Sequence, residues 1–385
     1  YVVQPPGFVV DGKEDKVLKL KKALYGLKQA PRAWYAKLDS SLVSLNFVKS
    51  GVESAVYTRG EKNSRLVVGV YVDDLIITGA SLMEINKFKE QMQALFKMSD
   101  LGLLSYYLGM EVKQGKEGIT VSQGAYAAKI LDKAGMRDCN PCQTPMDARL
   151  KLSKEGGECV EETQFRSIIG SLRYLVNTRP DLSYSVGYVS RFMEKPTSEH
   201  LAAMKHILRY VAGTLNLGVE FRKKQHQVPQ LNGYSDSDMA RDIDDRKSTT
   251  GVLFKLGDSL ISWQSQKQKV VALSSCEAEY IAAATAAVQG VWLARLIGEL
   301  EGQEPGCALI KVDNKSAISL CKNPVLHDRS KHIDTKFHFI RDCVDQKRVE
   351  VEYIRSEEQL ADILTKPLGK IRFLELGGKL GLVPV

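Results

Sequence analysis

The sequence lacks any apolar run long enough to cross a bilayer, so we expect no membrane-spanning segment among its 385 residues. The best candidate, "RLVVGVYVDDLIITG" at residues 65–79, is interrupted by two adjacent aspartates, Asp73 and Asp74. A basic stretch followed by an apolar one, as in a secretory leader, is also missing behind Tyr1. A start without methionine is typical of a chain cut from a longer reading frame.

The chain has few cysteines, and their number is odd. The seven cysteines are scattered along the sequence, a pattern that argues against a disulfide framework and favours a reducing compartment. Cys139 and Cys142 form a C-x-x-C, but no second pair lies at zinc-finger spacing, so we do not expect a zinc site there.

The composition does show a basic excess. The formal net charge is +8, with 44% hydrophobic and 26% charged residues. These proportions are typical of a globular protein, and the length predicts two or three domains. The positive charge indicates a polyanionic partner, although a basic protein without such a partner fits the charge equally well.

Residues 1–150 mix the patterns of strands and helices. A helical spacing follows Pro31, and residues 65–79 predict two short strands around a turn. The next helix begins with a capping box of Ser81 and Glu84. Its apolar stripe consists of Ile85, Phe88, Met92 and Leu95. The segment "YYLGMEVKQGKEGITVSQ" predicts a hairpin with a glycine-containing turn.

The later segments predict a helical connector followed by a layered domain. Residues 160–215 have helical spacing throughout, with breaks before Pro180 and Pro196. After residue 231 the patterns run three strands, helix, strand, helix, helix, strand, helix. This order predicts an α/β arrangement with a mixed sheet.

Four acidic residues in that last region fall at strand ends or on helices, where they can converge: Asp236, Glu279, Asp313 and Asp362. Such a cluster without a basic partner repels itself unless divalent cations neutralise it. Hard cations with oxygen ligands, magnesium above all, suit it. Two metal ions in one site can activate a water and stabilise the leaving oxygen of a phosphodiester.

For two of these four residues, a neighbouring carboxylate is an alternative candidate. Asp238 shares a strand face with Asp236, so alternation alone leaves both open. Glu277 follows Ser274 by three residues and fits a capping box, whereas Glu279 lies on a different helix face and has no capping role.

The other two residues can be explained by ordinary structural roles without a metal. Asp313 with Asn314 fits the N-cap of the following helix equally well. Asp362 follows a second capping box, Ser356 to Gln359, and alone would be a solvated surface residue. The spacing therefore permits a metal site without proving one.

Several ordered motifs resemble the Pol polyprotein of Ty1/copia-type LTR retrotransposons. "YVDD" between apolar residues resembles the catalytic signature of reverse transcriptases, and "QPPGF", "KALYGLKQAPRAWY", "ALSSCEAEYIA" and "QLADILTKPL" resemble other parts of that polyprotein. The resemblance extends from Tyr1 to about Leu382.

For the first half, the resemblance implies a reverse transcriptase palm. Asp73 and Asp74 would lie at a hairpin tip in a magnesium site, where cations and triphosphate compensate their burial. Tyr25 and Gly26 resemble the nucleotide-binding segment, and Met110 and Glu111 at the turn of "YLGMEV" resemble the primer grip. For Trp34 we expect ordinary core packing.

For the second half, the resemblance implies a ribonuclease H domain. The family pattern selects Asp236 over Asp238 and Glu279 of "AEY", and it adds Asp313 and Asp362. All four would be catalytic metal ligands for two Mg²⁺ ions, with Mn²⁺ as the expected substitute. The implied partners are an RNA–DNA hybrid, template RNA and primer DNA, with no membrane.

The sequence also departs from the family pattern. A third polymerase carboxylate would come from a strand upstream of "QPPGF", so we expect no DNA synthesis by this chain. Met239 and Arg241 stand where the family has Trp and Gly. No histidine is placed near Asp362; His327, His332 and His338 are distant in sequence, and we expect structural roles for them. A decayed copy that binds nucleic acid without turnover is the alternative hypothesis.

The predicted fold class is α/β, with an α+β palm, a helical connector and a mixed-sheet ribonuclease H-like domain. The predicted domains are a partial reverse transcriptase (1–150), a helical connection (151–230), a ribonuclease H domain (231–370) and a carboxy-terminal tail (371–385). The resemblance implies a cytoplasmic, virus-like-particle location.

Overall fold

The fold is a mixed α/β architecture, as predicted. The computed structural model describes residues 1–223, 229–323 and 332–385. The described residues contain ten α-helices and sixteen β-strands in four separate sheets. His327, for which we expect a structural role, lies outside the described residues.

The chain forms two compact units. The first comprises Tyr1–Leu101 with Leu296–Glu304, and the second comprises Gly102–Arg295 with Pro305–Val385. The four domains predicted from the sequence remain a prediction, because compactness alone does not define a domain boundary.

In the first unit, two helices accompany a four-stranded antiparallel sheet and a small two-stranded ribbon. The elements are β1 (Val2–Val3), β2 (Val17–Leu18), α1 (Ala30–Ser44), β3 (Val48–Lys49), β4 (Val56–Arg59), β5 (Leu66–Tyr71), β6 (Asp74–Gly79) and α2 (Leu82–Leu95). The larger sheet has the order β3-β4-β5-β6, and β1 pairs with β2. The helix after Pro31 and the hairpin at residues 65–79 are thereby confirmed.

Local sequence signals explain where α2 begins and which face it buries. The Ser81 hydroxyl accepts the backbone N–H of Glu84, which satisfies one free donor at the helix start. Phe88 and Met92, one turn apart, are almost completely buried, whereas Leu95 is 47% exposed. The predicted apolar stripe is therefore confirmed except at its last residue, where the helix ends and no longer faces the core.

The second unit contains the remaining elements, which are β7 (Tyr106–Tyr107), β8 (Met110–Gln114), β9 (Gly118–Ser122), α3 (Gly124–Lys133), α4 (Glu162–Leu175), α5 (Ser183–Val189), α6 (Ser198–Ala212), β10 (Leu217–Arg222), β11 (Leu231–Ser237), β12 (Thr249–Leu256), β13 (Ser259–Lys267), α7 (Ser275–Glu301), β14 (Ala308–Val312), α8 (Lys315–Lys322), α9 (Phe339–Asp345), β15 (Val349–Tyr353), α10 (Lys370–Lys379) and β16 (Leu382–Pro384). The last residues of α7 are grouped with the first unit.

Two five-stranded sheets organise this unit. One is antiparallel with the order β16-β10-β9-β8-β7 and includes the predicted β8–β9 hairpin. The other has the order β13-β12-β11-β14-β15, in which β11 pairs antiparallel with β12 and parallel with β14. This second sheet, called the mixed sheet below, confirms the predicted mixed sheet and the predicted succession of its strands along the chain.

The prediction of a helix in the segment after β15 was wrong. The segment "EEQLADILTK" forms two short 3-10 turns, Ser356–Glu358 and Leu360–Leu364, instead of an α-helix. The expected capping box is absent as well, because the Gln359 side chain accepts from Ala361 N–H and the Ser356 hydroxyl donates to Asp313. These side chains are recruited by neighbouring elements, and that recruitment outweighs the local helical pattern.

The connector helices and the mixed sheet share one hydrophobic core. Buried residues of α4 to α6 pack in the same cluster as Leu253 and Leu260 of the sheet and Leu364 of the second 3-10 turn. The residues predicted as a tail form α10 and β16, and Leu376 and Leu380 are fully buried in that cluster. A cut near residue 231 would therefore expose apolar surface that the sheet needs covered.

Helix α7 has the length of the long helix expected from the sequence, and it is apolar enough to be compared with a membrane-spanning helix. Its 27 residues meet the length and composition of a bilayer-crossing helix, and 61% of its most apolar window is buried in the protein. The core helix of a soluble protein meets the same criteria, so this helix is weak evidence for a membrane.

A buried ion pair ties the connector helices together. The Arg179 guanidinium binds the Asp181 carboxylate through two nitrogens, at 2.9 Å and 2.7 Å, and both side chains are almost fully buried. Arg179 also donates to the Thr214 carbonyl at 2.9 Å, and the Tyr210 hydroxyl donates to Asp181 at 2.8 Å. Every charged atom therefore has a partner in the folded state, as a buried pair requires.

We predict that Arg179→Met destabilises the connector by about 3–5 kcal/mol, because it leaves the Asp181 charge buried and unpaired. Hydrogen exchange of the α5 and α6 amides measures this local free energy. The double variant Arg179→Met/Asp181→Asn removes both charges and should recover part of the loss. Unchanged exchange in the single variant would contradict the role given to the pair.

Candidate functional site

Three of the four predicted carboxylates meet at one edge of the mixed sheet. Ser235 of β11 pairs with Val312 of the parallel strand β14, so the next residues, Asp236 and Asp313, lie side by side. Glu279 reaches them from the second turn of α7. One oxygen from each carboxylate lies within 4.8 Å of the others. The three residues Asp236, Glu279 and Asp313 are called the carboxylate cluster below.

The carboxylate cluster is largely shielded from water. Asp236 is 3% exposed and Glu279 is 6% exposed. One Glu279 oxygen, Oε1, accepts the backbone N–H of Ser237 at 3.0 Å. The other, Oε2, is buried without a hydrogen-bond partner in the described part of the chain. A buried carboxylate oxygen without a donor is costly unless something else compensates it.

Burial and mutual repulsion change the acidity of the cluster. Burial raises the pKa of Glu279, and the charges of Asp236 and Asp313 raise it further. Burial likewise raises the pKa of Asp236, although the Lys366 ammonium opposes the rise. Carboxyl groups this close favour protonation unless a cation takes the proton's place.

The structure resolves the alternatives that the sequence left open. The Asp238 carboxylate accepts the backbone N–H of Thr249 and lies outside the cluster; burial raises its pKa to about 6. Glu277 caps the start of α7 by accepting the Leu273 N–H at 2.8 Å. The side chain of Asn314 caps α8, which leaves Asp313 with no capping role.

Asp362 lies apart from the three. It is not among the carboxylates that are close enough to share one ion. Its Oδ1 lies 2.6 Å from the Lys366 ammonium, and its Oδ2 lies 3.6 Å from the Arg372 guanidinium. Burial of Lys366 lowers the pKa of its ammonium. The negative charges of Asp236 and Asp362 have the larger, opposite effect, so the pKa of Lys366 is raised.

The segment 356–366 lies along the carboxylate cluster, with hydrogen bonds to two of its members and one to the adjoining backbone of β11. The Ser356 hydroxyl donates to Asp313 at 2.8 Å, the Gln359 amide donates to the Ser235 carbonyl at 2.9 Å, and the Thr365 hydroxyl donates to Asp236. The sequence did not predict these residues or Lys366 as part of the site, and Ser356 and Gln359 were expected only as a capping box. Their local pattern indicates only a helix, and no spacing signal marks contacts that form between distant segments.

The donor set fits a hard divalent cation. All available ligand atoms are carboxylate oxygens, which suit Mg²⁺ or Mn²⁺ better than softer metals. The unpartnered Glu279 oxygen gives a direct reason for a cation at this place. Asp236, Glu279 and Asp313 are the residues that would hold it.

The "YVDD" aspartates are at a hairpin tip, as predicted, but they are not buried. Tyr71 pairs with Asp74 at the end of the β5–β6 hairpin, and both aspartates are exposed. The expectation of buried charge was wrong because the two aspartates lie at the tip of the hairpin. Strand β5 ends at Tyr71 and strand β6 begins at Asp74, and the tip between them is exposed. In the described residues no third carboxylate joins them.

Trp34 does more than fill the core. Its indole N–H donates to the Val72 carbonyl at 2.6 Å, and its ring packs edge-on against Phe96. Val72 has a φ of 55°, a left-handed conformation that is rare for a β-branched residue. The indole therefore supports the strained residue directly before Asp73.

The other predicted polymerase residues lie in two places. Tyr25 is 98% exposed, and Gly26 has a φ of 88° in the loop before α1. Met110 and Glu111 begin β8, in the second unit, where a Glu111 oxygen accepts the N–H of Ala125 at 2.8 Å and so caps α3. The roles in nucleotide binding and primer grip remain predictions.

Arg241 and two of the histidines with expected structural roles contact neighbouring groups. Arg241 donates to the Ala148 carbonyl at 3.2 Å, and Met239 is 46% exposed. His338 Nδ1 lies 2.9 Å from the Tyr280 hydroxyl, and His332 Nε2 lies 3.6 Å from a Glu277 oxygen. None of these side chains replaces a member of the carboxylate cluster.

We predict that Glu279→Gln changes how stability depends on pH in the presence of a chelator. An unfolded glutamate titrates near ~4.3, and the folded pKa is higher. The native state therefore binds more protons above that pH, and the free energy of unfolding falls as pH rises. Glutamine does not titrate and so removes this loss. The variant should therefore gain thermal stability relative to the parent between pH 5 and pH 8, which is roughly the range above the pKa of the unfolded glutamate.

The exposed residue Glu352 provides the control, as Glu352→Gln should follow the parent. If Glu279→Gln and the parent keep the same difference in melting temperature at every pH, the cluster does not carry the proposed repulsion.

Comparisons with known proteins agree with the motifs. A family model described as "Reverse transcriptase (RNA-dependent DNA polymerase)" matches residues 1–148. The retrovirus-related Pol polyprotein from transposon RE1 of Arabidopsis thaliana is 42% identical over all of this chain and 26% of its own length. A ribonuclease H1 isolated from compost aligns with 16% identity and a TM-score of 0.28 over 36% of this chain and 93% of its own, too low to carry an argument.

A second relative is covered almost completely. The putative transposon Ty5-1 protein of Saccharomyces cerevisiae is 33% identical over 74% of this chain and 92% of its own length. The chain spans about a quarter of the full Pol polyproteins it matches, such as that of RE1, 26% of which is covered. By its sequence the chain belongs to the family of Pol polyproteins of Ty1/copia-type retrotransposons.

Proposed function

We propose that this chain is a reverse transcriptase and ribonuclease H part of a retrotransposon Pol polyprotein, and that its carboxylate cluster hydrolyses the RNA strand of RNA–DNA hybrids. The observation that carries the proposal is the buried cluster with its unpartnered Glu279 oxygen. Membership of the Pol family supports a nucleic-acid substrate.

The residues of the site would have two roles, as metal ligands and as groups that orient those ligands. Asp236 and Asp313 are held by adjacent parallel strands, and Glu279 projects from a long helix, so the ligand oxygens keep fixed positions. Thr365 orients Asp236, and Ser356 orients Asp313. When bound, a pair of divalent cations would activate a water and stabilise the leaving oxygen of the phosphodiester. The products would be a 3′-hydroxyl and a 5′-phosphate.

Recognition of the substrate would depend on shape and charge. An A-form-like hybrid presents a wide minor groove with 2′-hydroxyls, which a protein can read without base contacts. The net charge of +8 favours association with a polyanion.

For the first unit we propose that Asp73 and Asp74 are ligands of a polymerase metal site. Their exposure at a hairpin tip, with Trp34 supporting Val72, supports a position open to a primer end. A polymerase site needs a further carboxylate, and this proposal assigns none within the described residues.

We predict that Asp313→Asn abolishes cleavage of a labelled RNA–DNA hybrid in Mg²⁺. Loss of outer partners of a metal ligand costs about 10–100-fold, so loss of a ligand itself should cost at least about a hundredfold in rate. Gel analysis of the cleaved RNA measures it.

Asp345→Asn is the matched control, since Asp345 is exposed and is the last residue of α9, outside the carboxylate cluster. It should cleave like the parent. Binding of the hybrid by a folded parent without any cleavage would favour the second candidate, a decayed copy that binds without turnover. Equal cleavage by the parent and Asp313→Asn would refute the cluster as the catalytic site.

A further inference from the structure

Lys366 is a cationic side chain placed between the carboxylate cluster and solvent. Its ammonium lies 2.6 Å from Asp362 Oδ1, yet 40% of the side chain is exposed, compared with 10% for Asp362. The neighbouring hydroxyl of Thr365 donates to Asp236. The backbone that carries Lys366 is therefore anchored at the cluster, while its side chain is partly exposed to an approaching ligand.

Arg372 is held more firmly than Lys366. Its guanidinium lies 3.6 Å from Asp362 Oδ2, and it also donates to the Ser356 carbonyl at 3.3 Å and to Glu375 at 3.2 Å. If Lys366 leaves Asp362, the Asp362 carboxylate still has a cation nearby. The pair Lys366–Asp362 can therefore open without leaving a buried charge alone.

A phosphodiester backbone approaching the cluster meets a concentration of negative charge. A lysine is a compact ammonium with three donors and binds phosphate as a point charge. The Lys366 side chain is 40% exposed, and its ammonium lies beside Asp362, so a phosphate can approach this side chain without rearrangement of the fold. Contact with phosphate takes the lysine away from Asp362 and frees an acidic ligand at the moment when substrate is present.

We propose that Lys366 is a phosphate-binding residue that Asp362 holds in the free protein and that the backbone of the hybrid takes over. The proposal rests on the function proposed above, and it goes further by linking substrate binding to the release of the fourth carboxylate. Because binding linkage is reciprocal, a change that frees Lys366 in advance must strengthen binding of the hybrid.

The test measures hybrid binding by the full chain in EDTA, where cleavage cannot interfere, over a series of KCl concentrations. Asp362→Asn releases the lysine and should bind the hybrid more tightly than the parent. Adding Lys366→Met to Asp362→Asn should remove that gain and reduce the slope of log K against log salt by about one, the value for one lost phosphate contact. This pair of variants avoids an unpaired buried Asp362.

Lys347→Met is the matched control for loss of one positive charge. Lys347 is exposed in the turn before β15, whereas Asp313 follows the last residue of the parallel neighbour β14, so the two residues lie at opposite ends of these strands. The Lys347→Met variant should therefore keep the salt slope of the parent. If Asp362→Asn and the double variant bind with equal affinity and equal slope, Lys366 is only a structural partner of Asp362. Failure of the parent to bind the hybrid would also overturn the proposal.

The two proposals fail in different ways. If the parent cleaves hybrid in Mg²⁺ and Asp313→Asn does not, while the slopes of Asp362→Asn and the double variant are equal, only the role of Lys366 is wrong. If Asp313→Asn cleaves like the parent, the proposed function is wrong whatever the slopes are.

Discussion

Repulsion among three close carboxylates, two of them buried and one partly exposed, is the constraint on which the rest of this structure depends. Their oxygens lie within 4.8 Å of one another, and one of them has no hydrogen-bond partner in the described residues. Such an arrangement raises free energy in the absence of a cation, and a fold keeps it only where the surroundings fix it. Two parallel strands and the start of a long helix provide that rigidity.

The segment from Ser356 to Lys366 completes the arrangement from outside the sheet. Its side chains contact Asp313, Ser235 and Asp236, and its lysine holds Asp362. The same segment contributes apolar residues to the core shared with the connector helices. The geometry of the cluster is thereby coupled to the packing of the whole second unit, including the buried Arg179–Asp181 pair.

Much of this fold follows from local sequence signals. Strand alternation and helical spacing predicted the β5–β6 hairpin, the connector helices and the succession of strands that form the mixed sheet, because these patterns reflect which face of each element is buried. The choice of Asp236 over Asp238 needed the family resemblance, since spacing alone could not separate them, whereas the capping pattern already distinguished Glu279 from Glu277.

Most of the failures share one cause. The 3-10 turns around Asp362 and the contact of Trp34 with Val72 depend on partners distant in sequence, whereas the exposure of Asp73 and Asp74 follows from their place at a hairpin tip. A helical pattern gave no indication that Thr365 and Lys366 turn toward other elements. Hydrogen bonds between distant segments leave no periodic signal, and they override weak local propensities where both compete.

The most direct test of the central claim is an anomalous diffraction measurement on crystals of the full chain grown with Mn²⁺. The account predicts an anomalous difference peak among the carboxylate oxygens of Asp236, Glu279 and Asp313, and its loss in Asp313→Asn crystals. Ordered carboxylates in that place with no peak among them, or Mn²⁺ bound only elsewhere, would contradict it.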